Sequence, residues 1–357
     1  MKVKLYLELS DSMKKVGILT LNGNYNFGNK LQNYALIKFI EENFECKCDT
    51  IWTNDTKTCN IFKQLIRKML KRKGYIREKK FKEFNKYLNI KKTKVNLIKD
   101  EYDKYIIGSD QVWNYNDPIF SAYKYFALFA EPQKNISYAA SFGVSNIEDE
   151  YIDIFINGLS NLKYISVREL SGKKMVEKIT NRKDIELVID PTMLLSPKEW
   201  EKILAVPRQY NDQKFILNYF LGNLTDDRIK EIKRVAHEND CFIINILDKN
   251  DPYYTCGPSE FLWLIKKSSL VCTDSFHASV FSLLFDKSFI VFDREDDLKK
   301  MNSRIDNLLE TYQLENRRFE GKIILDNMKH DYSNAYKILE GEIAKSRLYL
   351  EKILEDR

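Results

Sequence analysis

"VGILTLNGNYNFGNKLQNYAL", residues 16–36, sets the pattern of the whole chain. The run 16–21 is β-rich and uninterrupted, as in a strand buried on both faces. From residue 29 to 43 the apolar residues recur at helical spacing. Between the two lie Gly23, Gly28, Asn22, Asn24, Asn26 and Asn29, more than one turn and one cap require. Two readings stand side by side: glycines in tight turns with asparagines as caps, or a loop whose backbone approaches a ligand.

The same alternation continues. Strands are predicted at 46–52, 104–108, 135–140, 163–167 and 185–190, with helices at 61–72, 78–88, 149–160 and 169–180. A second series places strands at 214–221, 241–246, 269–273 and 288–292. Its helices fall at 225–239, capped by Thr225, then 258–267, 277–285, 304–313 and a long tail at 331–355. Strand–helix alternation predicts parallel sheets with crossover helices. The fold class is therefore α/β, with two doubly wound Rossmann-like domains facing across a cleft. The first covers 1–204 with a basic helical insertion at about 61–94, and the second covers 205–325, entered through the polar "AVPRQYNDQ" (205–213). The C-terminal helix lies in 326–357.

Composition narrows the function classes. Of 357 residues, 44% are hydrophobic and 31% charged, a balance typical of soluble globular proteins. No apolar run reaches the roughly 18 residues of a membrane span. The start "MKVKLYLELSDSMKK" has no secretory pattern, so a cytoplasmic location is expected. Cys46 and Cys48 would share one strand face, and without further ligands nearby they read as buried free thiols rather than a metal site. The net charge is +6, yet residues 63–94 alone carry +12, leaving the remainder near −6. That basic segment reads as a solvated helix face, or as a docking surface for an acidic glycan or for anionic membrane at the inner surface. Nucleic acid is not expected, because no recognition motif accompanies the charge.

In doubly wound sheets ligands sit beyond the carboxyl ends of strands, against helix N-termini. Polar residues occupy such positions four times: the 22–29 loop, "GSDQVWN" (108–114), Arg168, and "TDSFHA" (273–278). Asn26, Gly28, Asn29, Ser109, Asp110, Gln111, Arg168, Ser275 and His277 are thus predicted to converge on the cleft. Asp110, Asp274 and Ser275 also suit helix caps, and Arg168 suits a surface ion pair. Of the three histidines, His237 and His330 lie in polar surroundings, whereas His277 opens an apolar helix and suits a bound anion.

The segments "NYNFGNKLQNYAL", "YDKYIIGSDQVWN", "ISYAASFG", "ISVRE", "VIDPTMLL" and "VCTDSFHASVFSLLFDKSFIVF" together resemble polysaccharide pyruvyl transferases, over about residues 14–312. The resemblance implies a glycosyltransferase B-like fold and phosphoenolpyruvate as donor substrate, with no cofactor or metal. It also implies a saccharide acceptor, lipid-linked or free, whose hydroxyl pair becomes a pyruvate ketal. Arg168 and His277 match the positions expected to hold the donor. Asp110 is the candidate base, and Asp190 the second choice, with a substrate-binding role. Many relatives carry aspartate after the first-loop glycine, where this chain has Asn29, and asparagine cannot act as a base. A nucleotide-sugar glycosyltransferase, whose aromatic wall would come from 245–261, and a catalytically silent glycan-binding relative are the alternatives.

Overall fold

A computed structural model describes residues 13–53, 72–94, 97–144, 146–294, 303–324 and 331–356. In the first lobe, β1 (Lys14–Leu19), β2 (Cys46–Thr53), β3 (Ile90–Thr93), β4 (Lys104–Ile107) and β5 (Asn135–Ser137) form one sheet in the order β3-β2-β1-β4-β5. Every pairing in it is parallel, and β1 sits in the middle, flanked by β2 and β4. Val16, Ile18 and Leu19 are fully buried there, which explains the unbroken apolar run. Helix α1 (Phe27–Asn43) follows, then α2 (Lys73–Phe84), α3 (Asp149–Ser160) and α4 (Leu170–Thr180).

The second lobe holds β8 (Phe215–Tyr219), β9 (Phe242–Asn245), β10 (Leu270–Thr273) and β11 (Phe289–Val291), all parallel, in the order β11-β10-β8-β9. Its helices are α5 (Asp226–Glu238), α6 (Pro258–Lys267) and α7 (Phe276–Leu284). Helix α8 (Ser303–Tyr312) and helix α9 (Ser333–Glu355) follow β11. Two doubly wound parallel sheets are thus present as the alternation predicts.

Some local expectations are corrected. The runs 163–167 and 185–190 pair only as the two-residue strands β6 (Ser166–Val167) and β7 (Glu186–Leu187), apart from the main sheet. Their apolar content reflects burial, while Tyr164 and Val167 touch the β5 side through isolated bridges alone. Thr225 starts α5 without a side-chain cap bond, so the first-turn Asp226 and Asp227 are what complement that helix end. The strand Ile90–Thr93 was hidden in the basic stretch, and the expected helix at 78–88 lies at 73–84. The helix expected at 61–72 lies outside the described residues apart from Arg72, the N-cap position of α2, and so does 61–71 of the 61–94 segment expected to contact anionic membrane.

The lobes meet through aromatic rings and one buried cation. Phe27, the first residue of α1, stacks on Phe261 of α6 with centroids 4.3 Å apart and planes 2° from parallel. Arg77 of α2 lies over Phe27 and Tyr254, at 4.6 and 5.0 Å, and donates from Nη1 to the carbonyls of Tyr254 (2.9 Å) and Ile246 (3.3 Å). Lys80 on the same helix pairs with Glu260 at 2.5 Å. Burying a guanidinium is unfavourable unless its donors are met, and the carbonyls and π faces meet them here. Helix α9 then returns to the first lobe: Ser346 Oγ accepts from Ile189 N–H at 3.1 Å, and the Tyr349 hydroxyl donates to the Ser137 carbonyl at 2.8 Å. Among the described residues no helix is long and apolar enough to cross a membrane.

Candidate active site

Between the lobes, beyond the carboxyl ends of β4 and β10, lies a cavity of about 370 Å³. Asn26, Asp110 and Gln111 line it from the first lobe; Ser275, His277 and Arg294 line it from the second, and Arg304 from α8. A larger groove, of about 740 Å³ beside Tyr332 and Tyr336, is lined by four acidic residues and Lys266, with no guanidinium or imidazole among them.

Each side chain arrives there for a local reason. Gly108 holds φ +110°, and a Cβ on it would fall 2.4 Å from the Tyr138 carbonyl, so only glycine ends β4 in this way. Asp110 follows with φ 72°, a left-handed backbone that aspartate tolerates better than most side chains. Its Oδ1 accepts from Gln111 N–H at 3.0 Å, which fixes the carboxylate at the cavity wall. On the opposite lobe, Ser275 is the N-cap position of α7 and His277 its second residue, so the helix amides and the imidazole share one edge.

Gly28 abuts the other lobe. A Cβ there would lie 2.1 Å from His277 Nδ1 and 2.5 Å from Cε1, far inside contact distance. The first loop needs glycine because the imidazole of the other lobe packs on its backbone. Asn26 caps α1, its Oδ1 accepting from Asn29 N–H at 3.3 Å, and it also borders the cavity. Local propensity alone favours alanine over glycine inside a helix by about 1 kcal/mol. Gly28→Ala is nevertheless expected to lower turnover about 100-fold, since the ring must move by more than about an ångström to clear the methyl group. The check is kcat together with a melting curve.

The predicted residues divide into two layers. Asn26, Asp110, Gln111, Ser275 and His277 border the cavity. Ser109, Arg168 and Asp190 do not reach it; they form a buried layer behind His277 and Phe276. Arg168 is 5% exposed, its guanidinium 4.6 Å from the Phe276 ring centroid and paired with Asp190 Oδ2. Asp110 and Glu169 lie 3.8 Å from two of its other nitrogens. Ser109 Oγ donates to Asp190 Oδ2 at 3.2 Å, and Asp190 Oδ1 accepts from the Thr192 amide at 3.0 Å and hydroxyl at 2.7 Å. Asn29 belongs to the first turn of α1, not to the cavity wall. The guanidinium of Arg168 and the imidazole of His277 do converge, but on the Asp190 carboxylate, 3.6 Å from His277 Nε2.

Arg294 and Arg304 escaped the sequence reading. Arg294 follows β11, the same topological position as the residues that were singled out, and pairs with Asp274 at 3.0 Å. Asp274 itself is structural, accepting from the amides of Leu221 and Gly222 at 2.7 Å each. Arg304 opens α8 in a polar stretch that offers no signal.

Burial and electrostatics shape the site. Burial, and then the charge of Arg168, push the Arg304 guanidinium down to about 10, so it stays charged near neutrality. Burial would raise the Asp190 carboxyl, but His277, Arg168 and Thr192 outweigh it and hold the group well below the usual carboxylate range. A carboxyl depressed on folding stabilises the fold above its unfolded value, near 4, and loses that contribution as pH falls. The melting temperature is therefore expected to drop on acidification below about pH 4, more steeply than in Asp190→Asn. Melting curves across that range test it.

Among the described residues, Gln111 Nε2 and Arg304 Nε are buried without a hydrogen-bond partner, and both belong to residues lining the cavity. Unmet buried donors are costly. A set of them beside two guanidinium groups suits an anion rich in oxygen acceptors.

A family model described as polysaccharide pyruvyl transferase matches residues 26–296. No curated protein sequence matches the chain. Similar solved structures include a glycosyltransferase from Rickettsia africae ESF-5, 11% identical, covering 97% of this chain and 100% of that one with a TM-score of 0.46. Another is UDP-GlcNAc 2-epimerase from Neisseria meningitidis bound to UDP-GlcNAc, 11% identical over 93% of this chain and 100% of that one, TM-score 0.47. A third is Phytolacca americana UGT2, 8% identical over 97% and 99% of the two chains, TM-score 0.47.

Proposed function

The chain belongs to the polysaccharide pyruvyl transferase family, and from that membership we propose that it transfers the pyruvyl group of phosphoenolpyruvate to a hydroxyl pair of a saccharide, forming a pyruvate ketal. The observation that carries this reading is the pair of orphaned donors, Gln111 Nε2 and Arg304 Nε, at a small cavity that also holds an imidazole, two guanidinium groups and the carboxylates of Asp110 and Asp117. Phosphoenolpyruvate is a compact polyanion, and such a lining matches its phosphate and carboxylate.

The reaction adds a proton to the methylene carbon while positive charge develops on the central carbon. One acceptor hydroxyl attacks that carbon, inorganic phosphate leaves, and the second hydroxyl closes the ring. Arg294 and Arg304 bind the anionic ends of the donor, with Gln111 and the N-terminal amides of α7 as further donors. His277 delivers a proton, to the methylene carbon or the departing phosphate, and Asp110 takes one from the attacking hydroxyl. Arg168, expected to touch the donor, supports His277 from behind through Asp190.

A nucleotide sugar is less well served. Tyr254, from the segment that would supply an aromatic wall, has its ring beside the Arg77 guanidinium of α2. The test is incubation with phosphoenolpyruvate and candidate glycans, following phosphate release and an acceptor mass gain of one pyruvate less one water. Phosphate release with that mass gain is the expected result. Thermal stabilisation by nucleotide sugars but not by phosphoenolpyruvate would instead favour glycosyl transfer.

A further inference from the structure

Asp190 is the one carboxylate that an ion-pair contact links to His277 among the described residues. Its two oxygens have separate tasks. Oδ1 is occupied by Thr192, at the amide and the hydroxyl, which locks the side chain in one orientation. Oδ2 receives Arg168 Nη1 and Ser109 Oγ and faces His277 Nε2 at 3.6 Å. The carboxylate belongs to the first lobe and the imidazole to the second, so the contact exists only across their interface.

We propose that Asp190 is a positioning residue that sets the His277 tautomer with its hydrogen on Nε2 and orients the ring across the lobe boundary, ready to act on a donor in the adjoining cavity. The catalytic part of this inference rests on the function proposed above; the electrostatic part does not.

Most of the other groups around the ring oppose a positive charge. His277 is the second residue of α7, and Gly28 places the start of α1 against Nδ1, so two helix N-termini present their positive ends to it. Arg294 and Arg304 share the cavity wall, and Arg168 stands behind Phe276. Of the acids, Asp274 is engaged by Arg294 and two amides, and Glu169 accepts from Ser141 Oγ (2.8 Å) and Phe142 N–H (3.1 Å). Asp110 accepts from Gln111 N–H and lies 3.8 Å from Arg168 Nη2, and Asp117, also on the cavity wall, accepts from Ile119 N–H at 3.0 Å. Asp190 is the counterweight, and it also fixes which nitrogen carries the proton.

The chain has only three histidines, His237, His277 and His330, so imidazole carbon–hydrogen resonances can be titrated and assigned by single substitutions. In Asp190→Asn the Nε2-protonated tautomer of His277 is expected to lose its dominance in nitrogen-15 spectra, while the signals of His237 and His330 stay in place. Turnover with phosphoenolpyruvate should fall in kcat more than KM changes. An unchanged His277 tautomer in the folded variant overturns the proposal. Nitrogen-15 shifts of the unsubstituted protein give a check that no folding defect can blur: neutral His277 protonated at Nδ1 rather than Nε2 also overturns it. A changed tautomer without any phosphoenolpyruvate turnover in the unsubstituted protein would uphold the pairing and reject the proposed reaction.

Discussion

His277→Ala is expected to lower kcat by about 10³–10⁴-fold while leaving the fold intact. General acid–base catalysis contributes about 10²–10⁴-fold in most enzymes, and this ring would also lose its contact with a bound anion. The structural cost is modest by comparison. Alanine is the best helix former, and Asp190 keeps Arg168 and Ser109 after the ring is gone. The edge-on contact of the ring with Phe276, at 5.3 Å, is lost, a loss of about 0.5–1.5 kcal/mol by the usual scale of aromatic pairs. Steady-state turnover and a denaturant curve on the same preparation separate the two effects. Full turnover in this variant would remove His277 from the mechanism and leave the cavity without its acid.

Arg168→Met should produce the largest loss of stability of any single change in the site, on the order of 3–5 kcal/mol. Methionine roughly preserves side-chain volume, so the cost is not that of a cavity. It comes from charge: Asp190, Asp110 and Glu169 all lie within 4 Å of the guanidinium, at 3.8 Å for the latter two. Removing one partner of a buried ion pair leaves the other uncompensated. Burial weakens the Arg168 charge, but its three carboxylates outweigh that and raise its proton affinity above the ordinary arginine range. Urea unfolding measures the effect, and a loss below about 1 kcal/mol would mean that this layer is solvated and not the rigid backing assigned to it.

The architecture was largely legible because strand and helix periods differ, and buried parallel strands read as unbroken apolar runs. The cavity lining was legible for a related reason, since polar residues at strand ends have few structural uses beyond caps. What escaped depended on contacts distant in sequence. Gly28 was suspected of making room for a ligand, yet the room is taken by His277 of the other lobe. Asp190 was the second choice, after Asp110, for a carboxylate facing substrate. Its Thr192 bonds instead turn one oxygen into the start of the Pro191–Met193 turn, and Arg168 takes the other. Arg294 obeyed the rule that identified its neighbours and was passed over, whereas Arg304 is placed only by the packing of α8. Strands β6 and β7 show the limit of periodicity: an apolar run reports burial, and only a partner edge makes it a long strand.

The return of the polypeptide on itself has a mechanical corollary. The backbone leaves the first lobe at residues 205–213, and after β11 its last helices lean back on that lobe, where Leu170 N–H meets Asn307 Oδ1 at 3.4 Å and Lys14 Nζ meets the Leu354 carbonyl at 2.5 Å. The chain thus ties the lobes together more than once. A chemical staple between the Phe27 and Phe261 positions would add a further tie at the stacked rings, holding Asp190 and His277 at one separation through every turnover.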